Sequence, residues 1–292
     1  MVSLEESEIG MKQIEPVIFN AGAWSKHVPF AYELIRDLKP KIFVELGSHR
    51  GESYFSFCQS VKDHSLGTTC YAVDTWQGDE QAGHYGDEVY EKVNHINQTH
   101  FSNFSYLVRS TFESAAKNFS DSSVQLLHID GFHTYEAVKH DFDTWFDKVA
   151  PDGVILFHDT MVRHEEFGVW KFWEEVKDKY VTFEFKHGYG LGVLFKDAAA
   201  FKGKSSLLDS LISKNADAAE RLHKHYQNYY ENLDRAYLLD LYKKESERLK
   251  VLCQQHEEHL SVLGRQYTEL HGKISRVKSH FLYPLIRFFY RL

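Results

Sequence analysis

Cysteine is scarce and scattered in this chain. The three thiols, Cys58, Cys70 and Cys253, are odd in number and far apart, which excludes a disulfide framework or a zinc-ligand pattern and points to a reducing compartment. Basic charge is short as well. Thirty-four Lys and Arg stand against 42 Asp and Glu, a formal net charge of −8, so the basic footprint of a general nucleic-acid binder is missing. No apolar run approaches the ~18 residues that a membrane-spanning helix needs. The opening MVSLEESEIG is acidic and leads into no apolar stretch, so no secretory signal is read there. These absences predict a cytoplasmic protein. Proline is rare and unevenly placed: four of the five lie at or before Pro151 and the last is Pro284. From about Lys204 to Phe281 nothing forbids long helices.

What the sequence does contain is ample hydrophobic material. Of 292 residues, 43% are hydrophobic and 26% charged, which suits one catalytic domain plus an appendage. The first two hundred residues alternate short apolar runs with amphipathic segments, the pattern of β-α-β units and a parallel sheet. Buried strands are expected at Lys41–Leu46, Thr69–Asp74, Val124–Asp130 and Gly153–Asp159, with a weaker one around Tyr106. FGVWKFWEEVKDKY reads as a helix, and VTFEFKHGYGLGVLF as two strands joined by a glycine-containing turn at the sheet edge. The expectation is a doubly wound α/β fold, mostly parallel with an antiparallel edge pair, over residues 1–200, followed by a helical extension over 201–292.

The extension has its own period. His256, Leu260, Leu263, Tyr267, Leu270, Ile274, Val277 and Phe281 step by fours and threes, the spacing of a coiled coil that would make a homo-oligomer, or of a helix packed on its own domain. The final twenty residues, from Lys273, carry five basic and no acidic side chains among many aromatics. That composition suits an amphipathic helix on the inner face of an anionic membrane, or an ordinary docking helix.

Four segments carry candidate chemistry. In VELGSHRGES a strand ends at Glu45 and passes Gly47, Ser48 and Gly51 before a helix opens near Ser53. The glycines permit a tight turn and close approach of a ligand. The spacing is not the G-x-G-x-x-G of a dinucleotide phosphate turn. Asp74 closes the next strand, where a carboxylate accepts hydrogen bonds from ribose hydroxyls. HIDGFHTYE places Asp130 at a strand end with His133 three residues on, and LFHDT places His158 and Asp159 at the next. Neighbouring strand ends lie about 5 Å apart, so these groups can converge. Two carboxylates and an imidazole are competent ligands for Mg²⁺ or Mn²⁺, and His133 suits a general base. With 18 histidines in the chain, His64, His100 and His225 are read as surface residues.

Taken together, FVELGSHRGES, YAVDTWQGDEQAGHYGDEVY, LLHIDGFHTYEAVKHDFDTW, PDGVILFHDT and GLGVLF, spanning Lys41 to Phe195, resemble class I S-adenosylmethionine-dependent methyltransferases. They look most like the group related to macrolide-sugar O-methyltransferases and cephalosporin-hydroxylase-type proteins. The resemblance implies a Rossmann-like fold in which Glu45, Gly47, Ser48, Gly51 and Ser53 surround the methionine part of S-adenosylmethionine. Asp74, Thr75 and Trp76 would then border the ribose, and Ser110, Thr111 and Phe112 the adenine. It also implies Asp130 beside the cofactor and in catalysis, His133 as base, and a metal on Asp130, His158 and Asp159. This chain departs from the pattern in having His49 in place of a mid-loop glycine and His158 in place of an acid or amide. The stretch Gln77–Tyr90 reads as a loop over the site. No Asn- or Asp-Pro-Pro-aromatic segment follows the fourth strand, which directs the expectation to an oxygen acceptor, a sugar hydroxyl in a bacterial glycan or glycosylated metabolite. Two other readings use the same residues: an inactive cofactor-binding scaffold whose tail assembles a glycan-synthesis complex, and an NAD-dependent oxidoreductase.

Overall fold

A computed structural model describes residues 14–290 apart from Ala21, Ala23, Ala82 and Glu165, so the N-terminal decapeptide lies outside the described residues. The chain divides into two compact units, Met1–Asp234 and Arg235–Leu292.

The first unit is built on a seven-stranded sheet. Its strands are β1 (Ile42–Leu46), β2 (Thr69–Asp74), β5 (Ser105–Arg109), β6 (Val124–Ile129), β7 (Val149–His158), β8 (Val181–Phe185) and β9 (Leu191–Phe195). A two-residue hairpin, β3 (Gly78–Asp79) with β4 (Gly83–His84), stands apart from it. The order is β5-β2-β1-β6-β7-β9-β8. The first five strands run parallel, and β9 is antiparallel to both β7 and β8. From β1 the chain steps outward through β2 to β5, then returns to the other side of β1 as β6 and β7. The strand order therefore reverses between β1 and β6, and a crevice opens at their carboxyl ends, the usual ligand position in such sheets.

The sequence explains the central position of these strands. Phe43, Val44 and Leu46 of β1, Leu126 and Leu127 of β6, and Val154 to Phe157 of β7 are buried, as near-continuous apolar runs must be when helices cover both faces. Helices α1 (Val28–Leu38), α2 (Glu52–Asp63), α3 (Asp87–His100), α4 (Phe112–Ala116), α5 (Tyr135–Trp145), α6 (Val169–Lys177) and α7 (Ser206–Ile212) supply that cover. Thr111, Thr134 and Ser205 cap three of them by accepting from amides three residues on.

Two elements differ from the sequence reading. β7 begins at Val149, not Gly153, because Val149 pairs with Val124 before a register shift and the exposed Pro151 and Asp152 ride on that irregularity, a place where a strand tolerates proline. Within the stretch read as a loop over the site, Asp87 to Tyr90 already form the first turn of α3. The weak strand around Tyr106 is a full edge strand, paired residue by residue with β2.

The last helix, α8 (Ala216–Phe289), is continuous through Pro284. Its first turns belong to the first unit, where Leu222, Tyr226 and Leu233 are buried. Tyr226 packs edge-on against Phe30 and Phe185 and donates to Glu33 Oε2 at 2.7 Å. In the second unit the apolar members of the four-three stripe, Leu260 to Phe281, are 46% to 70% exposed. Among the described residues no helix is long and apolar enough to cross a membrane.

Chemical denaturation of single variants will distinguish the two parts of α8. Tyr226→Ala is expected to cost about 3–5 kcal/mol and Tyr226→Phe about 1.5–3 kcal/mol, the value of a hydrogen bond to a carboxylate. Leu260→Ala is expected to change the first unit's stability by less than about 0.5 kcal/mol.

Candidate functional site

The crevice begins with a carboxylate that water does not reach. Glu45 sits directly opposite His128 in the β1–β6 register, and both are fully buried. Trp24 Nε1 donates to His128 Nε2 at 3.4 Å, so His128 carries its proton on Nδ1 and donates it to Glu45 Oε2 at 2.8 Å. Ser53, in the first turn of α2, donates to the other oxygen at 3.0 Å. Burial pushes the Glu45 carboxyl above its ordinary pKa, and the bond from His128 acts against that shift. Glu45 thus ties β1, β6 and α2 together beneath the loop, with both oxygens engaged.

Above it the chain turns at Gly47 (φ 87°) and Gly51 (φ 82°). A Cβ on Gly47 would lie 2.1 Å from the carbonyl oxygen of Asp130, so only glycine lets this turn press against the end of β6. Asp74 organises the loop from the next strand. Its Oδ2 accepts from the amides of Ser48 and His49 at 3.0 and 2.8 Å, and its Oδ1 from Trp76 N at 2.7 Å. A carboxylate has about four acceptor positions, so roughly one remains for a ligand hydroxyl. Trp76 is fully buried and donates through Nε1 to the His49 carbonyl at 2.9 Å; it clamps the loop. His49 occupies the left-handed region (φ 43°) and stacks on Tyr85 at 5.3 Å. The residue in place of the mid-loop glycine therefore links this loop to the segment after the β3–β4 hairpin. Thr75 offers its carbonyl to Arg109. Ser110 bonds through its amide to Asp74 O, Thr111 caps α4, and the Phe112 ring packs beneath Gly131.

At the ends of β6 and β7 four predicted residues meet. His133 Nε2 lies 3.0 Å from Asp159 Oδ2 and 3.8 Å from Asp130 Oδ1. His158 Nδ1 lies 3.2 Å from Asp130 Oδ1 and 3.3 Å from Asp159 Oδ1. Burial alone would lower the pKa of both imidazoles, but hydrogen bonds and charge from Asp130 and Asp159 override it, raising His133 to about 9 and His158 well above its usual value. For Asp130 and Asp159 burial works upward and is overridden by the two histidines, which hold both carboxyls low. Two carboxylates and two imidazolium rings thus balance in charge.

The surroundings of this cluster were not legible in sequence. Gln81, from the hairpin, accepts through Oε1 from both His133 N at 3.0 Å and His133 Nδ1 at 2.8 Å. Phe167 stacks on the His133 ring at 4.7 Å. Gly188 O, in the β8–β9 turn, lies 3.1 Å from Nε2 of both His158 and His27. That turn places Gly188, Tyr189 and Gly190 successively at positive φ. The only hint in the sequence was the glycine pair in HGYGLG.

Residues 44–160 match a family described as a methyltransferase domain. The matched segment holds the β1 loop, Asp74 and all four members of the cluster, and the sheet around it is a Rossmann-like, doubly wound one. A protein of Sinorhizobium fredii called y4gI is 48% identical over 189 residues, which are 65% of this chain and 21% of that one. The chain therefore spans about a fifth of the length of the curated relative it matches. Among solved structures it is similar to the Podospora anserina methyltransferase PaMTH1 bound to S-adenosylhomocysteine (TM-score 0.46, 13% identity, 59% of this chain and 78% of that one). It is also similar to a methyltransferase from Geobacter sulfurreducens (TM-score 0.45, 12% identity, 66% and 83%).

The crevice suits S-adenosylmethionine. Glycine turns keep it open, carboxylates line it, and Asp74 retains acceptor capacity beside the loop amides. Mg²⁺, which the resemblance implied, suits the cluster poorly. That ion takes oxygen ligands and keeps water, whereas two of the four groups turned inward here are imidazole nitrogens.

The shift at His133 carries a sign. Its folded pKa of about 9 lies above the unfolded value, so it contributes stability that is complete below pH about 6.5 and is lost as pH rises through about 9. The melting temperature is expected to fall across that window in the wild type and to fall less in His133→Gln.

Proposed function

We propose that this protein is an S-adenosylmethionine-dependent O-methyltransferase whose acceptor is a hydroxyl, most simply that of a sugar in a glycan or glycosylated metabolite. One observation carries the reading: within a segment that matches a methyltransferase domain, Asp130, His133 and Asp159 converge beside the crevice at the strand-order reversal.

When bound, the cofactor supplies a methyl group that its sulfonium already makes electrophilic. The chain's own residues then have three tasks. The first is to hold the nucleoside, where Asp74 offers its remaining acceptor position and the loop from Gly47 to Gly51 closes against it. The second is to hold the acceptor oxygen in line, since fixed geometry supplies much of the rate in such displacements. Gln81 and the β3–β4 hairpin border that position, and the buried Gln81 Nε2 has no hydrogen-bond partner among the described residues, so it is a donor open to an acceptor on the substrate.

The third task is removal of the hydroxyl proton. His133 Nδ1 gives its hydrogen to Gln81 Oε1, which leaves Nε2 to accept a proton, and Asp130 and Asp159 stabilise the imidazolium that results. Phe167, stacked on the ring, shields one face from water. The sugar acceptor follows from the resemblance in sequence together with the cluster's fit to a hydroxyl.

Calorimetric titration with S-adenosylhomocysteine tests the cofactor, with NAD as the control. Binding is expected with no NAD binding, and Asp74→Ala is expected to weaken it by about 10- to 100-fold, the loss of one charge-assisted hydrogen bond. Absence of binding would overturn the reading. With an acceptor in hand, the rate should rise with pH toward about 9, because His133 must first lose its proton, and His133→Ala should lower kcat by about 10²- to 10⁴-fold.

A further inference from the structure

A helix that shows an apolar stripe to water is marginal by itself, because helical stability in proteins comes chiefly from packing an amphipathic face. The second unit carries such a stripe. From Phe281 the four-three spacing runs back without a break through Cys253, Leu249, Ser246 and Tyr242 to Leu239. Eleven of its thirteen positions are hydrophobic, and the exceptions are Ser246 and His256. The aliphatic and aromatic members are 46% to 73% exposed, and Cys253 is exposed with them. The ion pairs of this helix, Lys244 with Asp240 and Lys273 with Glu269 at 2.7 Å each, flank the stripe and stay off it.

We propose that residues 239–281 of α8 pair with the same segment of a second copy of this chain, as a parallel, in-register, two-stranded coiled coil. The area is sufficient. The stripe presents on the order of 1,000 Å² per copy, so the seam buries about 2,000 Å², the upper end of the range of about 1,200–2,000 Å² for a stable interface. In heptad terms Leu239 and Leu260 stand at a, and Leu249 and Leu263 at d. Ile274 at a beside Leu270 at d favours two strands. A hollow along the seam is floored by Ser246, Leu249 and Cys253 and walled by Glu245 and Lys250, the form of a hole that receives a partner's knob.

Charge and polarity set the direction. Glu245 at g and Lys250 at the following e face each other across a parallel pair, once on each side. Lys273 and Lys278 meet in the same way, but Lys273 is already neutralised by Glu269 of its own helix. In register, Ser246 and His256 each meet their counterparts. An antiparallel pair of full overlap would set both against apolar side chains, where polar groups go unpaired, and would part Glu245 from Lys250. The inference concerns the second unit and does not rest on the methyltransferase reading.

The test uses the full chain. Sedimentation equilibrium under reducing conditions is expected to give the mass of two chains at micromolar concentration. Leu263→Glu/Leu270→Glu should give the mass of one, and thermal unfolding of the first unit checks that the variant is folded. Lys250→Glu should weaken association by about 3- to 10-fold, and Glu245→Lys/Lys250→Glu should restore it.

Disulfide formation with diamide reads the direction, since Cys58 and Cys70 are buried and Cys253 is exposed. The wild type is expected to cross-link through Cys253, and Cys253→Ser to abolish the link. Cys253→Ser/Leu270→Cys should cross-link again, about 26 Å further along the helix. Two self-contacts so far apart require parallel strands in register. A wild type of one chain's mass would overturn the proposal and leave the stripe to a different protein. Three or more chains, a dimer that survives the double glutamate variant, or a cross-link at only one of the two positions would overturn it as well.

Discussion

At the centre of the sheet, where no water reaches, Glu45 on β1 faces His128 on β6 across a parallel pair. A carboxylate in such a place is tolerated only when paired, and removing its partner costs about 3–5 kcal/mol. The pair therefore locks the register of the two strands between which the chain reverses direction. Everything at the top of the sheet depends on that register. Gly47 meets the Asp130 carbonyl, the Gly47 amide reaches Val73 O, and the Asp130 amide reaches Leu46 O. A one-residue slip would turn every side chain of β1 to the other face, and crevice and cluster would part.

The site is assembled in tiers from that junction. Glu45 and Ser53 fix where α2 begins, and Asp74 gathers the amides of the intervening loop. Trp76 clamps the loop from behind, and His49 joins it through Tyr85 to the segment that follows the hairpin carrying Gln81. Gln81 in turn sets the ring of His133, while the β8–β9 turn sets the ring of His158 through Gly188. The reactive imidazoles are thus oriented by two segments far apart in sequence, a hairpin near residue 80 and a turn near residue 188. Such outer contacts hold a functional group to the narrow geometry that chemistry needs.

Much of this was legible in the sequence. Apolar runs ending in Glu45, Asp74, Asp130 and Asp159 are strands whose ends carry polar groups, and their alternation with amphipathic segments points to a parallel sheet. The proline-free stretch from about Lys204 to Phe281, which holds α7 and most of α8, read as helix because nothing in it breaks one. Less legible were Asp74, assigned to a ribose by its place at a strand end, and Trp76, set beside it by the resemblance; in the fold Asp74 spends three bonds on the backbone and Trp76 is wholly buried. Their position was readable because it follows from strand order, but their loop partners were not, because these lie 25 to 27 residues away on another strand's loop.

The sequence by itself determined the class of fold, the four acidic strand ends and the long terminal helix, since local periodicity and the placing of glycine and proline act within a few residues. Tertiary structure alone decided that His128 would answer Glu45, that Gln81 and Gly188 would aim two imidazoles, and that both rings would face the same pair of carboxylates. These contacts join segments separated by 30 to 83 residues, and no local pattern encodes which distant side chain or carbonyl a strand-end histidine will meet.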